Sequence, residues 1–266
     1  MRTSVAAVLS DCYSWPSIVL REMNSPAHDV SQLSDRLRRV RERMSAAAAR
    51  VGRDAGETTL VAVSKTHPAD LVQSAIAAGA TDLGENRVQE AEAKIPEIGR
   101  QAARWHLIGH LQSNKARKAV ALFDVIHSLD SLALARRLER FCVEDKRQTL
   151  PVLIQVDLGH EQTKTGVAED QLNEMVKGLV ECERLRLTGL MTLPPFFDDP
   201  ERTRPFFQRL RQLRDGLQAQ GCFGSLRGEL SMGMTHDYEI AIEEGATIVR
   251  VGTAIFGARE KGIETR

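Results

Sequence analysis

The residue best placed for covalent chemistry in this sequence is a lysine that directly follows a short apolar run. Lys65 comes after residues 60–64 (L-V-A-V-S) and before T-H-P. A lysine held in a partly dry pocket tends to lose its charge, because burial disfavours the ammonium form. The neutral amine can then attack an aldehyde and form an imine. Lys65 is therefore a candidate imine-forming residue; the alternative is a strand-end lysine that only extends its charge into solvent.

Two glycine-containing segments near the end of the chain have the composition of a phosphate site. They are S-M-G-M and G-T-A-I-F-G, which begin at Ser231 and Gly252. Gly233 and Gly252 let the backbone approach an oxyanion closely, and Ser231 and Thr253 add hydroxyl donors. The alternative is that both glycines only form turns. Together with the lysine, the two segments predict a phosphorylated aldehyde as the ligand.

The pattern of apolar runs predicts a fold that brings these distant segments together. Eight short runs alternate with amphipathic stretches of helical length. The runs are residues 60–64, 81–84, 105–109, 125–129, 152–158, 187–193, 229–234 and 247–251. Eight strands, seven intervening helices and one leading helix predict an α/β protein with a single (β/α)₈ TIM barrel. An open doubly wound sheet is the alternative, but S-K-T-H-P follows the first run where that fold favours G-x-G-x-x-G.

Residues that follow the strands of such a barrel surround its site. Lys65 follows the first run, and the two glycine segments follow the seventh and eighth, so all three are predicted to meet. Arg250 lies inside the eighth run, and its buried charge needs a partner. We expect either a strand-end carboxylate such as Asp157 or an acceptor on the ligand.

Length and composition limit the classes of function. The chain has 266 residues, with 36 basic and 36 acidic side chains and a formal net charge of zero. This balance does not indicate a nucleic-acid or membrane-surface binder. No apolar run approaches the roughly 20 residues of a transmembrane helix. The four cysteines include no C-x-x-C spacing, which predicts free, mostly buried thiols in a reducing compartment.

The patterned part of the chain begins with a predicted helix. Ser31 is its predicted N-cap, and Gly52 stands just past its end. Residues 1–30 are predicted to be an N-terminal extension, either a disordered tail or a start-site artefact with Met23 as the true start. Residues 31–266 are predicted to form one domain, because no linker rich in Pro, Gly or Ser divides the patterned region.

Three other groups of residues carry less specific signals. His106, His110 and His127 lack metal-ligand spacing, so no metal site is predicted, and His110 is instead a candidate ligand contact. Lys164 is either a solvated loop lysine or a second amine that accepts the ligand during loading or release. The arginines of residues 201–215 are predicted to form the solvated face of a helix, and a stripe that binds RNA or an acidic partner is the alternative.

Four longer segments show a family resemblance. They are V-A-V-S-K-T-H-P, D-L-G-E-N-R-V-Q-E, W-H-L-I-G-H-L-Q-S-N-K and the stretch from L-S-M-G-M to T-A-I-F-G. In these segments the chain resembles the pyridoxal-phosphate homeostasis proteins, the YggS/PROSC family. The resemblance runs in order from about residue 31 to residue 259, and only the N-terminal extension departs from it. It implies a single barrel similar to the N-terminal domain of alanine racemase.

The resemblance also implies a cofactor and the residues that hold it. Lys65 matches the lysine that carries pyridoxal 5′-phosphate (PLP), the aldehyde phosphate of vitamin B6, as a Schiff base (a covalent aldimine). Arg250 matches the arginine that faces the pyridine nitrogen, and Asn86 matches a position near the cofactor. The phosphate-binding segments are matched at Ser231, Met232, Gly233, Gly252 and Thr253.

An arginine at the pyridine nitrogen has a chemical consequence. Because it can only donate a hydrogen bond, it disfavours protonation of the ring and weakens the ring as an electron sink. Two-base racemisation also needs an acid–base group opposite the lysine, which in alanine racemase is a tyrosine from a second domain. The only tyrosines in this sequence are Tyr13 and Tyr238. The sequence ends nine residues after Gly257, so we expect no second domain to supply that group.

These implications favour a binding protein without catalytic residues over an enzyme. We expect a cytoplasmic monomer that holds PLP, buffers or delivers it, and has PLP and PLP-requiring apo-enzymes as partners, without nucleic acid or membrane. A PLP-dependent amino-acid racemase or lyase is the alternative. A lysine-imine aldolase acting on a phosphosugar is the third hypothesis.

Overall fold

Eight parallel strands close into a barrel in chain order. The structure is a computed structural model that describes residues 30–159 and 165–257. The strands are β1 (Thr59–Val63), β2 (Asp82–Glu85), β3 (Arg104–Leu107), β4 (Val125–Leu129), β5 (Leu150–Gln155), β6 (Leu185–Met191), β7 (Glu229–Met234) and β8 (Ile248–Val251). The helices are α1 (Val30–Arg50), α2 (Ala69–Ala77), α3 (Val88–Ile98), α4 (Ala116–Leu122), α5 (Leu132–Glu144), α6 (Leu172–Leu179), α7 (Arg204–Ala219), α8 (Tyr238–Glu243) and α9 (Thr253–Phe256). The predicted (β/α)₈ TIM barrel is confirmed.

The strands are buried on both faces, which explains their continuous apolar runs. All five residues of β4 are buried, as expected where helices cover a parallel sheet. One set of apolar side chains fills the barrel interior, and a larger set packs between the strands and the surrounding helices. The interior set is Val61, Val125, Leu153, Met191 and Ile248.

Helix α1 agrees with the predicted leading helix except at its start. Its buried stripe consists of residues at helical steps of three and four, which are Leu33, Leu37, Val40, Met44, Ala47 and Ala48. Gly52 follows the helix with a φ of +68°, a left-handed conformation that glycine adopts readily. The predicted N-cap is wrong, because the helix already includes Val30 and Ser31 lies in its first turn. The rest of the predicted N-terminal extension lies outside the described residues.

Strands β4 and β7 have the predicted boundaries, and β5 and β6 differ from the prediction most, by two or three residues at each end. Strands β5 and β6 each begin two residues before the predicted runs 152–158 and 187–193, and they also end earlier. Each early start includes a residue that a search for apolar runs leaves out, Pro151 in β5 and Arg186 in β6. Proline lacks the N–H that a strand interior requires, and here it occupies the second position of its strand.

Helix α7 contains most of the arginines that were predicted to be solvated. Its apolar face is buried through residues such as Phe207 and Leu210, which confirms an amphipathic helix. Arg214 corrects the prediction, because its side chain is buried rather than solvated. Its guanidinium donates to the Gly228 carbonyl oxygen at 2.8 Å and to Asp215 Oδ1 at 2.7 Å. These hydrogen bonds explain how the charge is tolerated inside.

Three of the four cysteines lie in the described part of the chain. Cys142 and Cys182 are buried and Cys222 is half-buried, all as free thiols; Cys12 lies outside the described residues. Burial raises the pKa of Cys142 to about 11, so this thiol is unreactive at neutral pH.

Among the helices of the described ranges, none combines the length and apolarity needed to cross a membrane.

Candidate functional site

Lys65 lies at the mouth of the barrel, two residues beyond the end of β1, and is half-buried. The next residue, Thr66, has a φ of +66°, a left-handed conformation that β-branched residues rarely adopt. Strain of this kind costs about 1–3 kcal/mol and persists only where surrounding contacts hold it. The Thr66 N–H donates to Glu90 Oε2 at 2.8 Å. A side chain of α3 thus fixes the turn that carries Lys65.

The backbone before Lys65 is held by a buried ion pair. Lys94 Nζ donates to the Ser64 carbonyl oxygen at 2.8 Å and to Glu85 Oε1 at 2.7 Å. The Ser64 hydroxyl donates to the same Glu85 oxygen at 2.8 Å. Lys94 Nζ also lies 3.8 Å from Glu90 Oε2. We call Ser64, Glu85, Glu90 and Lys94 the Lys94 cluster; it fixes the chain on both sides of Lys65.

Glu85 is the least solvated member of the Lys94 cluster. Its side chain is 0% exposed, and its Oε2 atom makes no hydrogen bond within the described part of the chain. Burial raises the pKa of Glu85, and the ammonium group of Lys94 and the hydroxyl of Ser64 offset this only in part. The carboxylate therefore depends on Lys94 to remain charged.

The first predicted phosphate segment is a turn that only glycine fits. Gly233 has a φ of +91°. An added Cβ would lie 2.5 Å from Ala241 Cβ and 2.9 Å from Tyr238 Cα, both on α8. The Met234 N–H donates to Asp237 Oδ1 at 2.6 Å. Helix α8 and its N-cap residue therefore hold this end of β7 in one conformation.

We expect Gly233→Ala to destabilise the fold by about 2 kcal/mol or more. A left-handed φ costs a non-glycine residue roughly 1–2 kcal/mol, and the new Cβ also overlaps α8. Urea denaturation gives the free energy of unfolding. Gly216→Ala on the exposed face of α7, where an added Cβ meets nothing within 4 Å, is the matched control and should be neutral or slightly stabilising. Equal midpoints for the two variants would contradict the requirement for glycine at position 233.

The second predicted phosphate segment lies directly beside the turn that carries Lys65. Strands β1 and β8 pair in parallel. An added Cβ at Gly252 would stand 3.4 Å from the carbonyl oxygen of Val63, the last residue of β1. The rings of His67 and Phe256 are stacked, with centroids 4.9 Å apart. The structure thus brings the predicted lysine and this segment together, as the barrel rule predicts.

The two phosphate segments are also tied to each other. The Gly252 N–H donates to Thr235 Oγ1, which follows β7, at 3.2 Å. Thr253 is exposed at the first position of α9, where N–H groups have no partner inside the helix. Met232 packs its side chain into the core, so its backbone alone is available to a ligand.

Ser231 and Arg250 are buried inside the barrel. Arg250 Nη1 donates to Ser231 Oγ at 2.6 Å, and Nη2 donates to the Thr192 carbonyl oxygen at 3.0 Å. These partners differ from the strand-end carboxylate, such as Asp157, that the sequence suggested. Burial lowers the pKa of Arg250 to about 10, against the opposing charge of Asp237. The guanidinium therefore remains charged at neutral pH.

Asn86 and His110 lie on loops at the same mouth of the barrel. Asn86 is half-buried, and an added Cβ at Gly109 would stand 2.4 Å from its backbone oxygen. The close approach of these two loops therefore requires glycine at position 109. His110 is exposed, and its Nδ1 lies 3.1 Å from Asp130 Oδ2. Lys164 lies outside the described residues.

Sequence reasoning missed the contacts within two groups of buried polar residues. The first is the Lys94 cluster, and its signal is a lysine on the apolar face of α3, in line with Val88 and Ala91. The second contains His106 and His127, whose ring nitrogens lie 2.9 Å apart. Both occupy the third position of neighbouring strands, β3 and β4. In residues 30–159 and 165–257, no three His, Cys, Asp or Glu side chains are arranged to hold a metal ion.

The fold and the site define a class of protein. The family model for the N-terminal domain of alanine racemase matches residues 33–260, so the chain is a barrel of that class. The alanine racemase of Corynebacterium glutamicum has a similar structure, with a TM-score of 0.64 at 18% identity over 88% of this chain and 64% of that chain. At this identity the likeness shows the fold alone.

More similar relatives give the particular family. Proteins of Aquifex aeolicus and Escherichia coli K12, both named pyridoxal phosphate homeostasis protein, are each 41% identical to this chain. They cover 85% and 90% of this chain and 98% of their own lengths. PipY of Synechococcus elongatus PCC7942, solved with PLP bound, is 40% identical, with a TM-score of 0.74 over 85% of this chain and 100% of that chain. The chain belongs to the pyridoxal phosphate homeostasis protein family.

Proposed function

We propose that this chain binds PLP covalently through Lys65 and acts in PLP homeostasis, buffering the cofactor and delivering it. The observation that carries the proposal is the position of the Lys65 turn directly beside the Gly252 segment. An amine and a glycine-lined turn at one barrel mouth suit a ligand with an aldehyde and a phosphate group. PipY, which was solved with PLP, supports PLP over the phosphosugar of the aldolase hypothesis.

The residues present fit the cofactor. The aldehyde of PLP condenses reversibly with a primary amine and releases water; Lys65 supplies the amine. Gly233, Gly252 and Thr253 would hold the phosphate through backbone N–H groups and a hydroxyl. Arg250 would donate to the pyridine nitrogen. Because Lys65 is only half-buried, water or an incoming amine can reach it and release the cofactor.

A carrier role agrees with the relatives better than an enzymatic one. The relatives are named as homeostasis proteins rather than as enzymes. Among the described residues the one tyrosine, Tyr238, is buried, and the Arg43 guanidinium of α1 lies 5.5 Å from its ring centroid. It therefore does not supply an acid–base group at the barrel mouth. We propose that the chain does not act as a racemase or a lyase.

The proposed setting is the cytoplasm, where the chain would act as a monomer on PLP and on PLP-requiring apo-enzymes, without nucleic acid or membrane. The buried free thiols of Cys142 and Cys182 are typical of a reducing compartment. A closed barrel leaves no open sheet edge for pairing with a second copy.

Transfer of the cofactor tests the proposed function. Holo-protein, freed of unbound PLP, is mixed with a PLP-requiring apo-enzyme, and enzyme activity and the visible absorption of lysine-bound PLP are followed together. We expect activity to rise in step with loss of that absorption. The same protein incubated with L- or D-amino acids should turn over neither. Amino-acid turnover would support the enzyme hypothesis, and absorption that never falls while apo-enzyme is present would contradict delivery.

A further inference from the structure

A chain of buried polar residues crosses the interior of the barrel. His106 Nε2 lies 2.9 Å from Asp82 Oδ1, and His106 Nδ1 lies 2.9 Å from His127 Nε2. His127 Nδ1 lies 2.8 Å from Ser231 Oγ, which accepts from Arg250 Nη1. We call these five residues the polar chain. It runs from the first residue of β2, at the amino end of the barrel, to the third residue of β8.

The surroundings make the polar chain unusual. Its four inner members are at most 2% exposed, and they share the barrel interior with the apolar interior set. Barrel interiors are normally filled by branched apolar side chains. Polar groups in such a place are destabilising unless they are hydrogen-bonded, and a network is tolerated when its members satisfy each other. Because the polar chain is connected and ends at Arg250, we expect it to have a role in positioning that residue.

The chemistry of the two ends gives the polar chain a direction. Arginine only donates, and a carboxylate only accepts. With both histidines neutral, Arg250 donates to Ser231, the Ser231 hydroxyl donates to Nδ1 of His127, and Nε2–H of His127 donates to His106. The Nε2–H group of His106 then donates to Asp82. Any reversal of the middle bonds requires an extra proton on one of the two histidines or on Asp82.

The ionisation of these groups agrees with that direction. Burial lowers the pKa of His106, the hydrogen bond that His106 donates to Asp82 opposes this, and Arg104 and Asp124 act on it more weakly. Burial lowers the pKa of His127 well below its ordinary value, and any positive charge on His106, with those of Arg250 and Arg104, lowers it further. Burial alone would raise the pKa of Asp82, but the hydrogen bond from His106, and the charge of that ring whenever it is protonated, leave it lowered. Neutral histidines beside an ionised Asp82 result.

We propose that His106 and His127 are positioning residues that hold the Ser231 hydroxyl as acceptor for Arg250, and so aim the guanidinium at the pyridine nitrogen. The proposal rests on the proposed function for the identity of that nitrogen. Because Ser231 gives its proton to His127 and accepts from Arg250, its side chain is assigned to Arg250. The phosphate group, its predicted contact, is left to the glycine turns and Thr253.

Nuclear magnetic resonance of the ligand-free protein tests the polar chain directly. Nitrogen-15 long-range correlation spectra of labelled histidines identify which ring nitrogen carries the proton, and His106→Gln and His127→Gln assign the signals. We expect both rings to be neutral and protonated at Nε2 at neutral pH. A doubly protonated His106, or a His127 protonated at Nδ1, would overturn the direction. This measurement needs no cofactor, so it stands even if the chain binds no PLP.

Comparison of PLP with pyridoxal, which lacks the phosphate, tests the assignment of Ser231. If Ser231 positions Arg250, Ser231→Ala should weaken the binding of both ligands by about tenfold, which corresponds to the loss of roughly one charge-assisted hydrogen bond. If Ser231 binds the phosphate group, Ser231→Ala should weaken the binding of PLP alone, and the proposal is wrong. Thr253→Ala is the comparison and should weaken PLP alone. Wild-type protein that binds neither ligand would sink the proposed function and leave the histidine result as the test of the polar chain.

A double variant tests whether the histidine acts through the serine. His127→Phe should weaken PLP and pyridoxal in the same ratio as Ser231→Ala does. The double variant should bind little more weakly than either single variant, because the effects of substitutions within one hydrogen-bond network are not additive. Additive losses would show that His127 has a separate structural role and would overturn its assignment as a positioning residue.

Discussion

Lys65→Ala is expected to abolish the visible absorption that PLP gives the wild-type protein and to remove all covalent label after borohydride reduction. Removing this ε-amine leaves the cofactor with only its phosphate and ring contacts, so it should be lost on desalting. Thermal unfolding should change little, because the side chain is half-buried at a turn and not part of the core. The expected effect is therefore complete on the cofactor and small on the fold.

Lys118→Ala is the matched control for this loss. Lys118 is an exposed lysine of α4 that pairs with Glu92, and its substitution should leave absorption and label unchanged. Peptide mapping of the reduced wild-type protein should place the label on the peptide that contains Lys65. A label found on another lysine, or absorption retained in Lys65→Ala, would contradict the assignment of Lys65.

The lysine and the glycine turns could be predicted because their signals are local. Apolar runs that are buried on both faces indicate parallel strands, and a closed barrel places whatever follows those strands around one mouth. Lys65 and Gly252 are 187 residues apart in the sequence (252 minus 65), yet this rule was enough to place them together. The glycine at position 233 also carried a local signal, because its left-handed turn depends on its own backbone.

The contacts that hold Lys65 and Arg250 were not predictable in the same way. Which carboxylate meets Lys94 depends on how α3 lies against β1 and β2, and the apolar pattern of α3 does not specify it. The partners of Arg250 come from β7 and from the residue that follows β6, so they depend on the stagger of neighbouring strands. Ser231 illustrates the difference: its position near the site followed from the pattern, whereas its hydrogen bonds to Arg250 and His127 required the barrel register.

Lys94→Met is expected to give the largest loss of stability, about 3–5 kcal/mol, because it leaves Glu85 as an uncompensated buried charge. Methionine keeps the length of the side chain, so the loss reports the charge and not a cavity. Urea denaturation at neutral pH gives the free energy of unfolding. Lys118→Met removes an exposed ion pair and should cost little. The double variant Lys94→Met/Glu85→Leu should recover much of the loss, since a buried pair is often replaceable by apolar residues.

The dependence of this defect on pH separates the charge from packing. The pKa of Glu85 in the folded protein is raised above its ordinary value. At any pH between the unfolded and the folded pKa, folding is therefore accompanied by uptake of a proton. Glu85 therefore destabilises the fold at high pH, and this penalty disappears on acidification. Without Lys94 the folded pKa should rise further, because the opposing ammonium charge is gone. The gap between Lys94→Met and wild type should consequently narrow toward about pH 5 and widen toward about pH 8.

A difference in stability that stays constant with pH would assign the loss to packing and contradict the role of the buried charge.

The Lys94 cluster also makes a second prediction for the same variant. Because Lys94 holds the Ser64 carbonyl oxygen and lies near Glu90, which binds the Thr66 N–H, the turn that carries Lys65 should loosen. Lys94→Met should therefore release PLP faster than wild type even at low pH, where the fold recovers, since the hydrogen bond from Lys94 to the Ser64 carbonyl oxygen is absent from the variant at every pH.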